Sequence, residues 1–231
     1  NEWMRARLGN NRKLSSVILK QGQKETIVAD LKQFFASKLR YEELGIPWRR
    51  GYLLFGTPGT GKTSLVTALA SDLSLNVCTL SLASPNITDE RIGNLLASVP
   101  ARSVILLEDI DSFFHQRQKA DAQVKLSYSG FINALDGVAA HEGSVVFLTT
   151  NHPDLIDDAA IRSGRVDVRM ELSNCDGYQL EQMFLKFFPD ANAAAKFAAS
   201  IPTGQFSPAT IQERLLKAKD VQAAFNAFSS E

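Results

Sequence analysis

Apolar positions along the chain follow two rhythms. Ile27, Leu31, Phe34 and Phe35 recur at helical spacing and predict an amphipathic helix over 24–39, in a region that Gly45-Ile46-Pro47 ends. Short apolar runs then alternate with helical stretches. The runs at 52–55, 76–82, 104–107, 145–148 and 166–172 predict five strands, those at 104–107 and 145–148 continuous enough to be buried on both faces. Helices are expected near 62–73, 88–98 (with Thr88 as N-cap) and 126–135. Strand and helix in this alternation predict an α/β fold, a five-stranded parallel sheet flanked by helices. After Asp176 the period changes. Leu180, Met183, Phe184 and Phe187 repeat at helical spacing, and 193–200, 208–217 and 221–228 predict further helices. An α/β domain over 14–175 and a small all-helical appendage over 176–231 are therefore expected.

Composition narrows this picture. With 231 residues, 45% of them hydrophobic, the chain can bury a core without disulfide or metal staples. Its 25 Lys+Arg balance 25 Asp+Glu, which argues against nucleic acid as a general partner. The balance is uneven, since residues 1–50 carry +6, residues 51–175 carry −5 and residues 176–231 carry −1. Arg5, Arg7, Arg12 and Lys13 give the leader its basic face, either solvated or turned to lipid, an upstream domain or a neighbouring subunit. Cys78 and Cys175 are too few for a disulfide framework and are expected to be free thiols. His115, His141 and His152 are scattered and make no metal site, and His152 before Pro153 is expected in a turn. No apolar run reaches 18 residues, so no membrane span is expected in this stretch. A start at Asn1 rather than Met is what a fragment or processed chain would give.

Two sequence features carry chemistry. Gly56, Thr57, Pro58, Gly59, Thr60, Gly61, Lys62 and Thr63, with Ser64 behind them, fit G-x-x-x-x-G-K-[ST] without a mismatch. The motif lies after a predicted strand and before a predicted helix, where backbone N–H groups and the helix dipole can cradle phosphates. Lys62 is expected on the β- and γ-phosphates of ATP, and the Thr63 hydroxyl on Mg²⁺. The strand at 104–107 then runs into Glu108-Asp109-Ile110-Asp111, which delivers acids to the ligand edge of the sheet. One acid of the pair is expected to hold Mg²⁺ and the next to orient or deprotonate the attacking water.

With these motifs the chain resembles the AAA class of P-loop ring ATPases. Asn151, after Thr149-Thr150, matches that class's polar sensor of the attacking water. Ala160-Ile161-Arg162-Ser163-Gly164-Arg165-Val166-Asp167 matches the region whose two arginines reach a neighbour's nucleotide, which implies that Arg162 and Arg165 are arginine fingers acting in trans. An ordinary ion pair with Asp157, Asp158 or Asp167 is the plainer alternative for both. By the same match Glu108 takes the metal position with Thr63, and Asp109 the catalytic-base position. Most of the class reads Asp then Glu here, and a shorter Asp must sit closer to its water or act through another group.

The resemblance sharpens at Leu14-Ser15-Ser16-Val17-Ile18-Leu19, Gly45-Ile46-Pro47-Trp48-Arg49-Arg50-Gly51-Tyr52-Leu53-Leu54, Leu106-Leu107-Glu108-Asp109-Ile110-Asp111, Ser129-Gly130-Phe131-Ile132-Asn133-Ala134-Leu135-Asp136-Gly137-Val138 and Thr149-Thr150-Asn151-His152-Pro153. These are similar to the mitochondrial AAA chaperones that assemble respiratory complex III. That similarity, over about 14–217, implies a membrane-anchored homo-oligomeric ring, typically a heptamer. It implies a folded Rieske iron–sulfur protein as cargo, a place in the mitochondrial inner membrane and a motor on the matrix side. Residues 1–13 then correspond to the tail of an upstream domain, and 176–231 to the lid. The loop Ser81-Leu82-Ala83-Ser84-Pro85-Asn86 lacks the aromatic of unfolding translocases, which suits a folded cargo. No sensor arginine is found in the lid, where Ser207-Pro208-Ala209 opens a helix and Arg214 is expected to be solvated. The rivals are an AAA ATPase remodelling another substrate, an ATP-switched regulatory module with little turnover, and a monomeric kinase-like P-loop enzyme. The last would carry a phosphate-acceptor site and need no arginine from a neighbour.

Overall fold

The computed structural model describes residues 12–100, 102–118, 125–139 and 142–228. Arg5, Arg7 and His141 lie outside the described residues. The expected amphipathic helix is α1 (Gln23–Ala36), which buries Ile27, Leu31 and Phe34. It is followed by α2 (Lys38–Leu44), which the sequence reading ran together with its surroundings. Gly45 closes α2 in a left-handed conformation at φ 63°.

Five parallel strands form one sheet in the order β2-β3-β4-β1-β5. They are β1 (Arg49–Phe55), β2 (Asn76–Ser81), β3 (Ser103–Glu108), β4 (Ser144–Thr150) and β5 (Val168–Glu171). Strand β1 begins three residues earlier than its apolar run, because Arg50 is neutralised there. Its guanidinium pairs with Asp30 of α1, which also accepts from Tyr52 Oη. The helices α3 (Lys62–Asp72), α4 (Asp89–Ala97) and α6 (Tyr128–Ala139) fall where the periodicity places them. Thr88 caps α4 by accepting from Arg91 N.

Strand alternation splits the core. Tyr52, Leu54, Val104, Leu106, Val145 and Phe147 face α1 and α3. Leu53, Ile105, Leu107 and Leu148 face α4, α6 and a further helix, α5 (Ile110–Gln118). Tyr52 and Phe147, paired across β1 and β4, stack at 4.6 Å. The periodicity predicts no helix over 110–118, where α5 lies, and Ile110, Phe113 and Phe114 bury there at i, i+3, i+4 spacing.

The C-terminal helices α7 (Gly177–Phe187), α8 (Ala191–Ser200), α9 (Pro208–Lys217) and α10 (Val221–Asn226) enclose a core of their own around Phe184, Phe197 and Ile211. Phe187 and Phe188 pack at its edge. A capping box at Asp176 and Gln179 opens α7. Cys175 belongs to this core, and burial pushes its thiol up to about 12. Both cysteines are free and buried. The extended segment at 17–19 stitches the two parts together. Val17 and Leu19 bury in the α/β core, while Ile18 packs against the helical one. No helix among the described residues is long and apolar enough to cross a membrane.

Candidate active site

Because β3, β4 and β1 are adjacent, their C-terminal ends bring three segments together: Glu108-Asp109 after β3, Asn151 after β4 and the glycine-rich loop after β1. Gly56 leaves β1 at φ 138°, and a Cβ there would lie 2.0 Å from Leu172 O, so only glycine fits. The loop then delivers Lys62 as the first residue of α3. Lys62 is 7% exposed, and its ammonium donates to Gly56 O (2.7 Å), Thr57 O (3.1 Å) and Asn151 Oδ1 (2.7 Å). Burial lowers its pKa, opposed by the nearby carboxylates of Asp109 and Asp111. Inside the loop, Thr60 is buried and its hydroxyl donates to Thr57 O.

The acids occupy distinct places. The Thr63 hydroxyl donates to Glu108 Oε1 at 2.6 Å, so the two groups expected on the metal meet. Both are hard-oxygen donors, the chemistry Mg²⁺ takes. Among the described residues no group of three His, Cys, Asp or Glu gathers, so phosphate and water oxygens would have to complete a Mg²⁺ shell here. Asp109 faces the other way. Its backbone is left-handed at φ 47°, its N–H donates to Thr149 Oγ1, and Oδ1 accepts from Asn151 Nδ2 at 3.4 Å. Asn151 therefore stands between Lys62 and Asp109.

Asp111, which the sequence reading gave no role, is buried and accepts from Thr150 Oγ1 (2.8 Å) and Asn151 N (3.2 Å). It fixes the backbone that carries Asn151. The third acid in Glu108-Asp109-Ile110-Asp111 was the visible signal for it. His152 occupies the N-cap position of a short 3-10 turn at Pro153–Leu155, as its place before Pro153 suggests.

A cleft of about 580 Å³ opens beside the loop. Thr60, Gly61 and Ser64 line one side, Val17 and Ile18 another, and Met183 and Pro208 of the helical part a third. Arg12 Nη1 donates to Ser64 Oγ at its rim. Two links tie the loop to the helical part. Ala209 N donates to Gly59 O at 3.1 Å. Asn174 Oδ1 accepts from Thr57 Oγ1 (3.1 Å), while its Nδ2 donates to Gly204 O (2.9 Å). Nothing local in the sequence singles out Asn174.

The two arginines part company. Arg162 is exposed, as a group reaching a neighbour must be. Arg165 is not: its side chain is 4% exposed and makes a forked pair with Asp136 of α6 (2.8 and 2.7 Å) and a bond to Ala159 O. The expected outward orientation of both is thus corrected for Arg165, whose partner is also none of the three acids considered from sequence. Arg214 differs from expectation too. It stacks over Phe206 (4.7 Å) and Phe228 (5.0 Å) and donates to Ala227 O, bracing α9 against the end of α10. In the loop after β2, Leu82 and Ile87 are buried, and Pro85 and Asn86 are exposed.

A phosphate loop, an acid pair and a polar sensor on adjacent parallel strands, with a helical lid against the loop, define an AAA-type ATPase domain. The family model "ATPase family associated with various cellular activities (AAA)" matches residues 52–174. A second, "Mitochondrial chaperone BCS1-like, ATPase lid domain", matches residues 177–229. The chain is 43% identical to mitochondrial chaperone BCS1 of Homo sapiens over 94% of its own length and 55% of that protein's. It is 44% identical to the Bos taurus protein of the same name over 87% and 51%. An Arabidopsis thaliana AAA-ATPase, At5g17760, is 32% identical over 87% and 43%. The chain belongs to the AAA ATPase family, in its BCS1 mitochondrial chaperone branch. It spans about half the length of the curated relatives it matches.

Proposed function

We propose that the chain is the Mg-ATP-hydrolysing motor of a ring-forming, membrane-anchored chaperone, with each active site shared between two subunits. In this reading residues 14–175 are the motor body, 176–231 its lid and 1–13 the tail of an upstream domain. The observation that carries it is the convergence of Lys62, Thr63, Glu108, Asp109 and Asn151 at one sheet edge. The backbone N–H groups of residues 56–64 other than Pro58, with the Lys62 ammonium, hold the phosphates, and the cleft beside Ser64 takes the nucleoside. Thr63 and Glu108 would hold Mg²⁺, which would neutralise charge on the phosphate oxygens. Asn151 orients the attacking water against Asp109, whose carboxylate accepts or directs its proton. Arg162 of the next subunit steadies charge on the transferring phosphoryl group, an effect worth ~10³–10⁵ in rate.

The cargo is a folded protein, the Rieske iron–sulfur subunit of complex III, moved at the mitochondrial inner membrane by a ring of seven with its motors on the matrix side. The family membership supports the chaperone role, and the loop at 81–86 without an aromatic supports a folded rather than threaded cargo. A regulatory module without turnover fits less well, since the acid pair and sensor that serve hydrolysis are built and braced. ATPase activity per subunit, measured against protein concentration, should rise as subunits assemble. A rate per subunit independent of concentration, from dilute monomer to assembled ring, would contradict the shared site.

A further inference from the structure

The segment carrying Arg162 is held from several sides. Arg165 N and Val166 N both donate to Arg162 O, at 3.0 and 3.2 Å. Arg169 Nη2 donates to Ile161 O at 2.6 Å. Asp167 N donates to Gly51 O and Gly51 N to Asp167 Oδ2, each at 2.8 Å. A Cβ on Gly51 would sit 1.9 Å from Arg165 O, so β1 and this segment are in backbone contact. Between Ile161 and Arg165, residues 162–164 are exposed. The remaining anchor is the Arg165 guanidinium, which joins Asp136 at the end of α6 to Ala159 O on the far side of Arg162.

We propose that Arg165 and Asp136 form a brace within one subunit that positions Arg162 for the neighbouring site, making Arg165 a positioning residue rather than a second finger. This rests on the shared-site reading above. Turning Arg165 outward would break a bidentate charged pair and strip Ala159 O of its donor, both costly at a buried guanidinium. A finger works only if it arrives in a fixed pose, because small misplacement of a charged group costs much of its effect. The brace supplies that pose from α6. The carboxyl of Asp136 is correspondingly held below the usual carboxylate range, first by its bond to Arg165.

The test is an ATPase assay on the native protein carrying Asp136→Ala, Arg165→Ala, both together, or the exchange Asp136→Arg with Arg165→Asp. A brace predicts that each single variant lowers kcat about tenfold with little change in KM for ATP. The double variant should then be no worse than either single one, and the exchange should recover part of the loss. A second finger predicts the opposite: Asp136→Ala fully active, Arg165→Ala inactive and the exchange inactive. That result overturns the brace while leaving the shared site standing. Should Asp136→Ala fold poorly, Asp136→Asn takes its place. Asp136→Asn is read the same way, with wild-type kcat overturning the proposal and a loss recovered in the exchange upholding it. Failure of the shared-site reading shows elsewhere, as full activity of Arg162→Ala.

Discussion

At Asp109 the chain takes a left-handed turn, φ 47°, that few side chains adopt but that Asp tolerates. The turn separates two neighbouring acids. Glu108 stays with the Thr63 hydroxyl, and Asp109 points to Asn151. Strain of this kind collects where a structure must aim a side chain. The inverted acid order thereby acquires a division of labour. Glu108→Gln should lose the Mg²⁺ dependence of nucleotide binding. Asp109→Asn should keep binding but lower kcat by ~10²-fold or more, as removal of a general base does. Equilibrium binding of a fluorescent nucleotide with and without Mg²⁺, set beside steady-state turnover, separates the two. The reverse assignment would exchange the phenotypes. Much of this site was legible because its groups lie in contiguous motifs. Asp136 was not, since nothing near residue 136 points to a partner 29 positions on. Arg165 was misdirected for the same reason: a motif names residue types, and only the fold decides which way a guanidinium turns.

Among the elements, α9 and the segment before α7 connect the phosphate loop to the lid. Ala209 N at the start of α9 meets Gly59 O, and Asn174 spans from Thr57 to Gly204. A shift of the loop at 56–61 on phosphate binding would be carried to the lid by both links. Asn174→Ala removes one of them. It should raise KM for ATP by about fivefold while leaving the lid folded, since Phe184, Phe197 and Ile211 form their own core. Steady-state kinetics with a circular-dichroism melt would check this, and an unchanged KM would assign the coupling to Ala209 instead. Element types were readable wherever the period was sustained, as in α1 and the strands of the sheet. Helix α5 was missed because its apolar set is short and follows three acids within four residues. Strand β1 was begun late because two arginines hide its start, and only α1 supplies the neutralising Asp30. The local pattern could not show either, since both depend on what another element brings.

Across the whole molecule, the neutral net charge has a spatial meaning. The basic leader feeds Arg12 to the rim of the cleft beside the phosphate loop and Val17 and Leu19 to the body. The acidic body places Asp109 and Asp111 near Lys62 and Glu108 on the Thr63 hydroxyl. On the proposed reading a single subunit holds the binding groups and the water-directing groups, while Arg162, which is exposed, serves the neighbouring site. That asymmetry would make a subunit incomplete as a catalyst. The direct measurement mixes two inactive variants of the native protein. Lys62→Ala lacks a working site but carries Arg162. Arg162→Ala carries a site but lacks the group for its neighbour. Each alone should hydrolyse ATP at background rate. Mixed under conditions that exchange subunits, they should regain activity that peaks near equal proportions. Mixtures that stay at background in proven mixed rings, or Arg162→Ala that is fully active by itself, would contradict a site shared between subunits.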